Sequence, residues 1–343
     1  MTNHISEGSL DSILDIARKD SVEFPYLLAN HAPMVLIALE RMGASPSRLA
    51  EWYAVYRDTH KLAPPSPSVA PIEAETWKGA LGDRSREADY RIFFTGEVER
   101  LGIDAAIRQY LPHLIQGVAG SALHPLMRLA YAVLKMDKAE SGAALGYWAA
   151  CYLPMPYPGV IEPDTRDPAA ILAAVSSVDG IRTYKTETDL LWHNIRAVAE
   201  LPEFAPLIGR LKFDENTPKR MAETSLAVFA ATMDFSALHA VTGMHWVRLV
   251  APYIDDPVPL YRVFWQVIAS LVPKIGFPDL PSAKSLQMMR ELPAPDWADI
   301  KAAAIASSDE HDVSLVFSAS QEEEVWGDRL YQVVAARRVG LIE

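Results

Sequence analysis

Only one of the 343 residues is a cysteine, Cys151, so no disulfide can form within the chain, and a reducing compartment, the cytoplasm, is the expected location. Basic residues are also scarce. Lys and Arg number 32 against 44 Asp and Glu, a formal charge of -12, and no Lys/Arg-rich run occurs. Nucleic-acid affinity rests on basic side chains that displace counterions from phosphates, so nucleic acid is not an expected partner. Long apolar runs are missing too: the most apolar windows, residues 33–39 and 263–272, fall short of the roughly 20 residues that a membrane-spanning helix needs. Residues 1–20 carry Glu7, Asp11, Asp15 and Asp20 where a secretory signal has a basic start and an apolar core, so a soluble, unexported protein is expected. There is no His-Glu-x-x-His pair, no Gly-x-Ser-x-Gly elbow, no phosphate-binding Gly-x-x-x-x-Gly-Lys loop and no Gly-x-Gly-x-x-Gly after a strand. Zincin, serine-hydrolase and nucleotide-loop chemistry thus lack their signatures.

What is present is a large apolar fraction, 50% of residues, enough for a sizeable core. Length alone suggests about two domains. Two proline-rich connectors, 62–71 and 153–168, interrupt the pattern, but each is short and flanked by buried-looking helices, which predicts one helical domain over residues 1–343. Helical periodicity covers 10–17, 27–42, 46–56, 73–82, 89–101, 104–116, 168–178, 188–201, 217–233, 235–252, 256–272, 296–307 and 311–339, with 273–295 mostly loop. Gly102 is read as a stop followed by Asp104 as a cap, and Ser121 as the cap of a helix carrying Pro125 in its first turn. Strand patterns are few and no hairpin turn is evident, so the predicted class is all-α, a compact multi-helix bundle with proline-rich connectors.

Four of the nine histidines, His31, His124, His239 and His311, lie inside or at the edge of apolar helical segments. Any one alone reads as a hydrogen-bonded core imidazole; four together suggest more. Neutral imidazole is the commonest side-chain metal ligand, and helix bundles build metal sites from facing helices, so a buried metal centre is the hypothesis. His245 follows His239 by six residues and points about 120° away from it, which suits a supporting, substrate-facing or packed group. Trp246 shares the His239 face and is a candidate substrate wall, with Tyr131 and Trp148 weaker ones. His4, His60, His113 and His193 sit in polar or loop contexts without an expected role. The run Glu322–Glu324 reads as a solvated helix face, with Arg329 as the partner open to Glu322.

Several short segments occur in order: Asn30-His31-x-Pro33 followed by Leu39-Glu40-Arg41-Met42-Gly43-Ala44, Leu123-His124-Pro125-Leu126 before Arg128-Leu129-Ala130-Tyr131-Ala132, Leu238-His239-Ala240-Val241-Thr242-Gly243, and a late His311 before a terminal helix. Together, over about residues 27–338, they resemble the questin oxidase-like family. That resemblance implies oxidative opening of anthraquinone-type rings or oxidation of related cyclic ketones, with dioxygen and a small aromatic substrate as partners. It also implies a non-haem Fe(II) centre held by His31, His124, His239 and His311. The family often carries lysine three residues after the last histidine, where a carbamate would supply an anionic oxygen, and this chain has Ser314 there. NADPH is left open, since no dinucleotide fingerprint appears. Two other readings stand beside the oxygenase: a non-catalytic helical protein that binds an apolar small molecule, which Ser314 favours, and a hydrolytic zinc enzyme.

Overall fold

Capping side chains set the helix starts. Asp137 accepts from the Glu140 amide, Asp234 from Ser236 and Ala237, and Asp309 from His311, each satisfying amide donors that a first helical turn leaves unpaired. Glycines in the left-handed region set several stops: Gly43 at φ 99°, Gly276 at 90° and Gly327 at 69°. Gly327 divides the last helical stretch into Glu310–Trp326 and Leu330–Arg338. The structure, a computed structural model, describes residues 9–343; His4 and Glu7 lie outside them. It is 66% helical, with 17 α-helices among the described residues and one two-stranded hairpin, Glu23–Phe24 paired antiparallel with Leu28–Ala29.

Four helices form a closed ring: Ala32–Met42 packs on His124–Lys135, that on Phe235–Val250, that on Glu310–Trp326, and the last returns to Ala32–Met42. Each supplies or adjoins one of the four histidines. One connected apolar core draws on side chains from Leu10 to Ala336, and residues 62–71 and 153–168 run mostly exposed over its outside. Among the described residues no helix is long and apolar enough to cross a membrane.

Several sequence expectations are corrected. Residues 27–31 belong to the hairpin and a turn, and the helix begins at Ala32 because Pro33 suits a first turn. Residues 73–82 hold only the short 3-10 turn Trp77–Ala80, and Gly102 itself takes the cap position of Ile103–Leu114, leaving Asp104 in the first turn. The stretch 273–295 includes the helix Ala283–Arg290. Lys138–Ala150 is an additional helix. Its residues are nearly all buried, so no amphipathic stripe marks it, and Gly142 and Gly146 let it lie against the Glu87–Leu101 backbone.

Candidate metal centre

All four histidines sit at helix N-terminal ends. His31 immediately precedes Ala32–Met42, His124 opens its helix, His239 is fifth in Phe235–Val250 and His311 second in Glu310–Trp326. The ring brings them together: centroids are 4.5 Å apart for His31 and His124, 5.0 Å for His31 and His311, 5.9 Å for His124 and His239, and 6.1 Å for His239 and His311. Every Nδ1 has an acceptor: Ala29 O at 2.9 Å from His31, Ser121 O at 2.5 Å from His124, Phe235 O at 3.0 Å from His239, and Asp309 Oδ1 at 3.1 Å from His311. A carbonyl or carboxylate can only accept, so each Nδ1 carries the proton, and a neutral ring keeps its lone pair on Nε2. Between His31 and His124 the two Nε2 atoms face each other at 2.8 Å. With both protons on Nδ1, two lone pairs oppose there, an arrangement that a shared cation relieves. This anchoring of Nδ1 with Nε2 left free is how proteins orient imidazole ligands.

Burial keeps His31, His124 and His239 neutral. It pushes His31 well below the usual imidazole range, His239 to about 3 and His124 to about 4, with neighbouring histidines adding to the effect and the backbone acceptors opposing it. Two carboxylates balance the site. Asp309 is drawn down to about 2, chiefly by the hydrogen bond from His311, and also pairs with Arg338 at 2.6 Å. Glu310 Oε1 lies 4.0 Å from His31 Nδ1 and 3.9 Å from His311 Nδ1, approaching the rings from their anchored side. Donor atoms of His31, Glu310 and His311 fall within 4.8 Å of one another. Glu310 had no signal in the sequence beyond its place in an acidic helix start.

His124 rests on an unusual support. Ser121 does not cap its helix; Ser121, Ala122 and Leu123 are all left-handed, at φ 46°, 51° and 72°, which for L residues costs about 1–2 kcal/mol each. The segment turns the Ser121 carbonyl onto His124 Nδ1. Ser121 Oγ donates to Glu23 Oε1 and accepts from the Tyr147 hydroxyl, both at 2.7 Å, and Arg84 Nε holds Glu23 Oε2 at 2.8 Å. Burial pushes the nearby Cys151 thiol well up, so it is a packed group and not a thiolate.

A pocket of about 340 Å³ opens onto the four rings. Phe24, Leu27, Leu28, Leu191, Trp192 and Phe235 give it apolar walls, and Lys274 pairs with Asp189 at its edge at 2.6 Å. His60 also lines it, packed on Phe24 and Tyr56; its polar flanks, Asp58-Thr59, gave no hint of this. Larger clefts elsewhere, of about 490 and 510 Å³, contain no histidine.

The expected substrate walls lie elsewhere. Trp246, His245 and Tyr131 do not line this pocket. Tyr131 and Trp246 are two turns, roughly 10 Å, along their helices from His124 and His239, which carries them into the sealed interior with Ser314. His193 is no loop residue but is buried in Leu191–Ala199, 2.8 Å from the Thr188 hydroxyl. Nor is Glu322 solvated: it is fully buried and takes Arg248 Nε and Trp326 Nε1, both at 2.7 Å, in place of Arg329, while Glu323 takes Trp297 Nε1.

No curated protein matches the chain. A family model described as Questin oxidase-like matches residues 28–318, a span that includes all four clustered histidines and well over half of the chain.

Proposed function

The chain belongs to the questin oxidase-like family, and from that premise we propose that it is a non-haem iron-dependent oxygenase acting with dioxygen on an aromatic polyketide-like or other cyclic ketone substrate. The family name itself points to oxidoreductase chemistry. The observation that carries the reading is the set of four imidazoles lining one pocket, each tied at Nδ1 to a fixed acceptor, with Nε2 of His31 and of His124 facing each other. Ferrous iron suits imidazole and carboxylate surroundings and, when bound, supplies the one-electron chemistry that dioxygen requires.

The rest of the work falls to the chain's own residues. His31, His124, His239 and His311 would hold the ion, while Asp309 and Glu310 place negative charge beside a divalent cation in a site where Ser314 offers none. Phe24, Leu28, Leu191 and Phe235 bury an apolar substrate and keep water from the reacting face, and Trp192 offers an aromatic surface for a planar ring. Glu310, on the pocket wall, is positioned to hold or return a proton at Oε1. Cleavage that places both oxygen atoms of dioxygen in the product needs no NADPH, whereas insertion of one oxygen atom, with the other leaving as water, needs a two-electron reductant such as NADPH.

Protein purified anaerobically, without added metal or chelator, is expected to contain near-stoichiometric iron by elemental mass spectrometry. Stoichiometric zinc would favour the hydrolytic reading. No metal, even after incubation with ferrous iron, would favour a protein that binds an apolar ligand.

A further inference from the structure

Trp192, in the first turn of Leu191–Ala199, walls the pocket, yet its buried indole N–H makes no hydrogen bond among the described residues. Packing against the ring is therefore what sets its plane. Two guanidinium groups lie over it, Arg84 with its central carbon 4.6 Å from the ring centroid and Arg196 at 5.4 Å. Arg196 pairs outward, 2.6 Å from Glu187, a side chain that is 70% exposed. Arg84 pairs inward. Its Nε lies 2.8 Å from Oε2 of Glu23, a side chain only 8% exposed, while among the described residues its buried Nη2 has no acceptor. Leaving an N–H buried and unpaired is costly, so the ion pair alone does not account for this placement, and the electron-rich face of the indole supplies the missing attraction.

Glu23 carries the connection inward. Its Oε1 accepts from Ser121 Oγ at 2.7 Å, and the Ser121 carbonyl holds His124 Nδ1. A pocket wall and the support of one imidazole, drawn from segments far apart in the chain, thus meet at a single guanidinium. We propose that Arg84 is a positioning residue with two duties: it orients the Trp192 ring for a flat aromatic ligand and, through Glu23 and Ser121, it holds the His124 imidazole for a divalent cation. The proposal rests on the metal-centre reading of the four histidines and adds to it a residue that touches neither ion nor ligand. The two duties call on different properties of arginine. Holding Glu23 needs a positive charge within reach of its carboxylate. Lying against the indole needs the flat, weakly hydrated guanidinium, which lysine lacks.

Substitution separates the duties. Metal-free protein is titrated by calorimetry with naphthalene, which has no atom able to bind a metal, and separately with cobalt(II), whose visible absorption reports coordination. Arg84→Gln is expected to weaken naphthalene binding about 3–10-fold and cobalt binding about 10–100-fold. Arg84→Lys should recover the cobalt affinity while naphthalene binding stays weak, and Trp192→Leu should weaken naphthalene binding alone. A residue that only stabilised the fold would not split the two affinities. Where Arg84→Gln does not fold, Arg84→Lys decides by itself: weaker naphthalene binding at unchanged cobalt affinity supports the proposal. Unchanged affinity for both ligands in either folded variant, or loss of both in Arg84→Lys to the extent seen in Arg84→Gln, would overturn it. The unaltered protein reports on the metal centre separately. If it takes up no cobalt, the centre fails and this proposal with it; if it binds cobalt and the variants are insensitive, only the role of Arg84 is lost.

Discussion

Backbone acceptors hold the Nδ1 protons of His124 and His239, which leaves the lone pair of each ring on Nε2. Replacing His239 by alanine should therefore release metal while far-UV circular dichroism stays unchanged, since the helix around it is capped and packed independently; retained stoichiometric metal would remove His239 from the ligand set. Glu23 acts one step further out. It grips Ser121, whose carbonyl fixes His124. Glu23→Gln is expected to weaken metal affinity about 10–100-fold, the usual consequence of loosening a ligand's support, while His239 stays anchored. A metal titration with the fold checked by circular dichroism reads this, and unchanged affinity would show that the strained turn holds itself.

Glycines test the packing of elements because their sign is not given by propensity. Within a helix, glycine to alanine ordinarily stabilises by about 1 kcal/mol. Gly96, on Glu87–Leu101, has open space around it, so Gly96→Ala should follow that rule. At Gly142, on the partner helix, an added Cβ would lie 2.6 Å from Thr95 Cα and 2.8 Å from Thr95 N, backbone atoms that cannot step aside. Gly142→Ala should destabilise by about 1–3 kcal/mol despite the better helix former. Urea denaturation of the two variants measures both, and a stabilising Gly142→Ala would mean that the helices are not in this contact. Elements also show how context overrides local sequence. Ser-Ala-Leu-His occurs twice, at 121–124 and 236–239. The second copy is regular helix behind the Asp234 cap, whereas the first runs left-handed through three residues because the Glu23 and Tyr147 side chains hold its serine.

For the molecule as a whole, burying several neutral imidazoles ties stability to pH. Unfolded imidazoles titrate near 6.5, whereas folded His124 lies near 4, His239 and His245 near 3, and His31 well below its usual value. The folded state therefore binds fewer protons than the unfolded chain between these limits. Stability present above about pH 6.5 is lost as pH falls toward 4. The urea midpoint of metal-free protein should drop between about pH 7.5 and pH 5, and an equal or higher midpoint at the lower pH would contradict burial of the rings.

The helical class, the proline connectors and the four histidines were all legible in one dimension, because helix periodicity, proline's missing amide and a polar ring in an apolar segment are local signals. The Lys138–Ala150 helix was not, since a segment buried on every side has no polar face to contrast with. Assembly decided the rest. Which histidines meet, and that Glu310 stands beside them, depend on four helices closing into a ring from segments up to 280 residues apart. Trp246, His245 and Tyr131 sit in the interior and Trp192 and His60 at the opening for the same reason. Depth along a helix axis relative to other helices comes from tertiary packing, and no local pattern of residues encodes it.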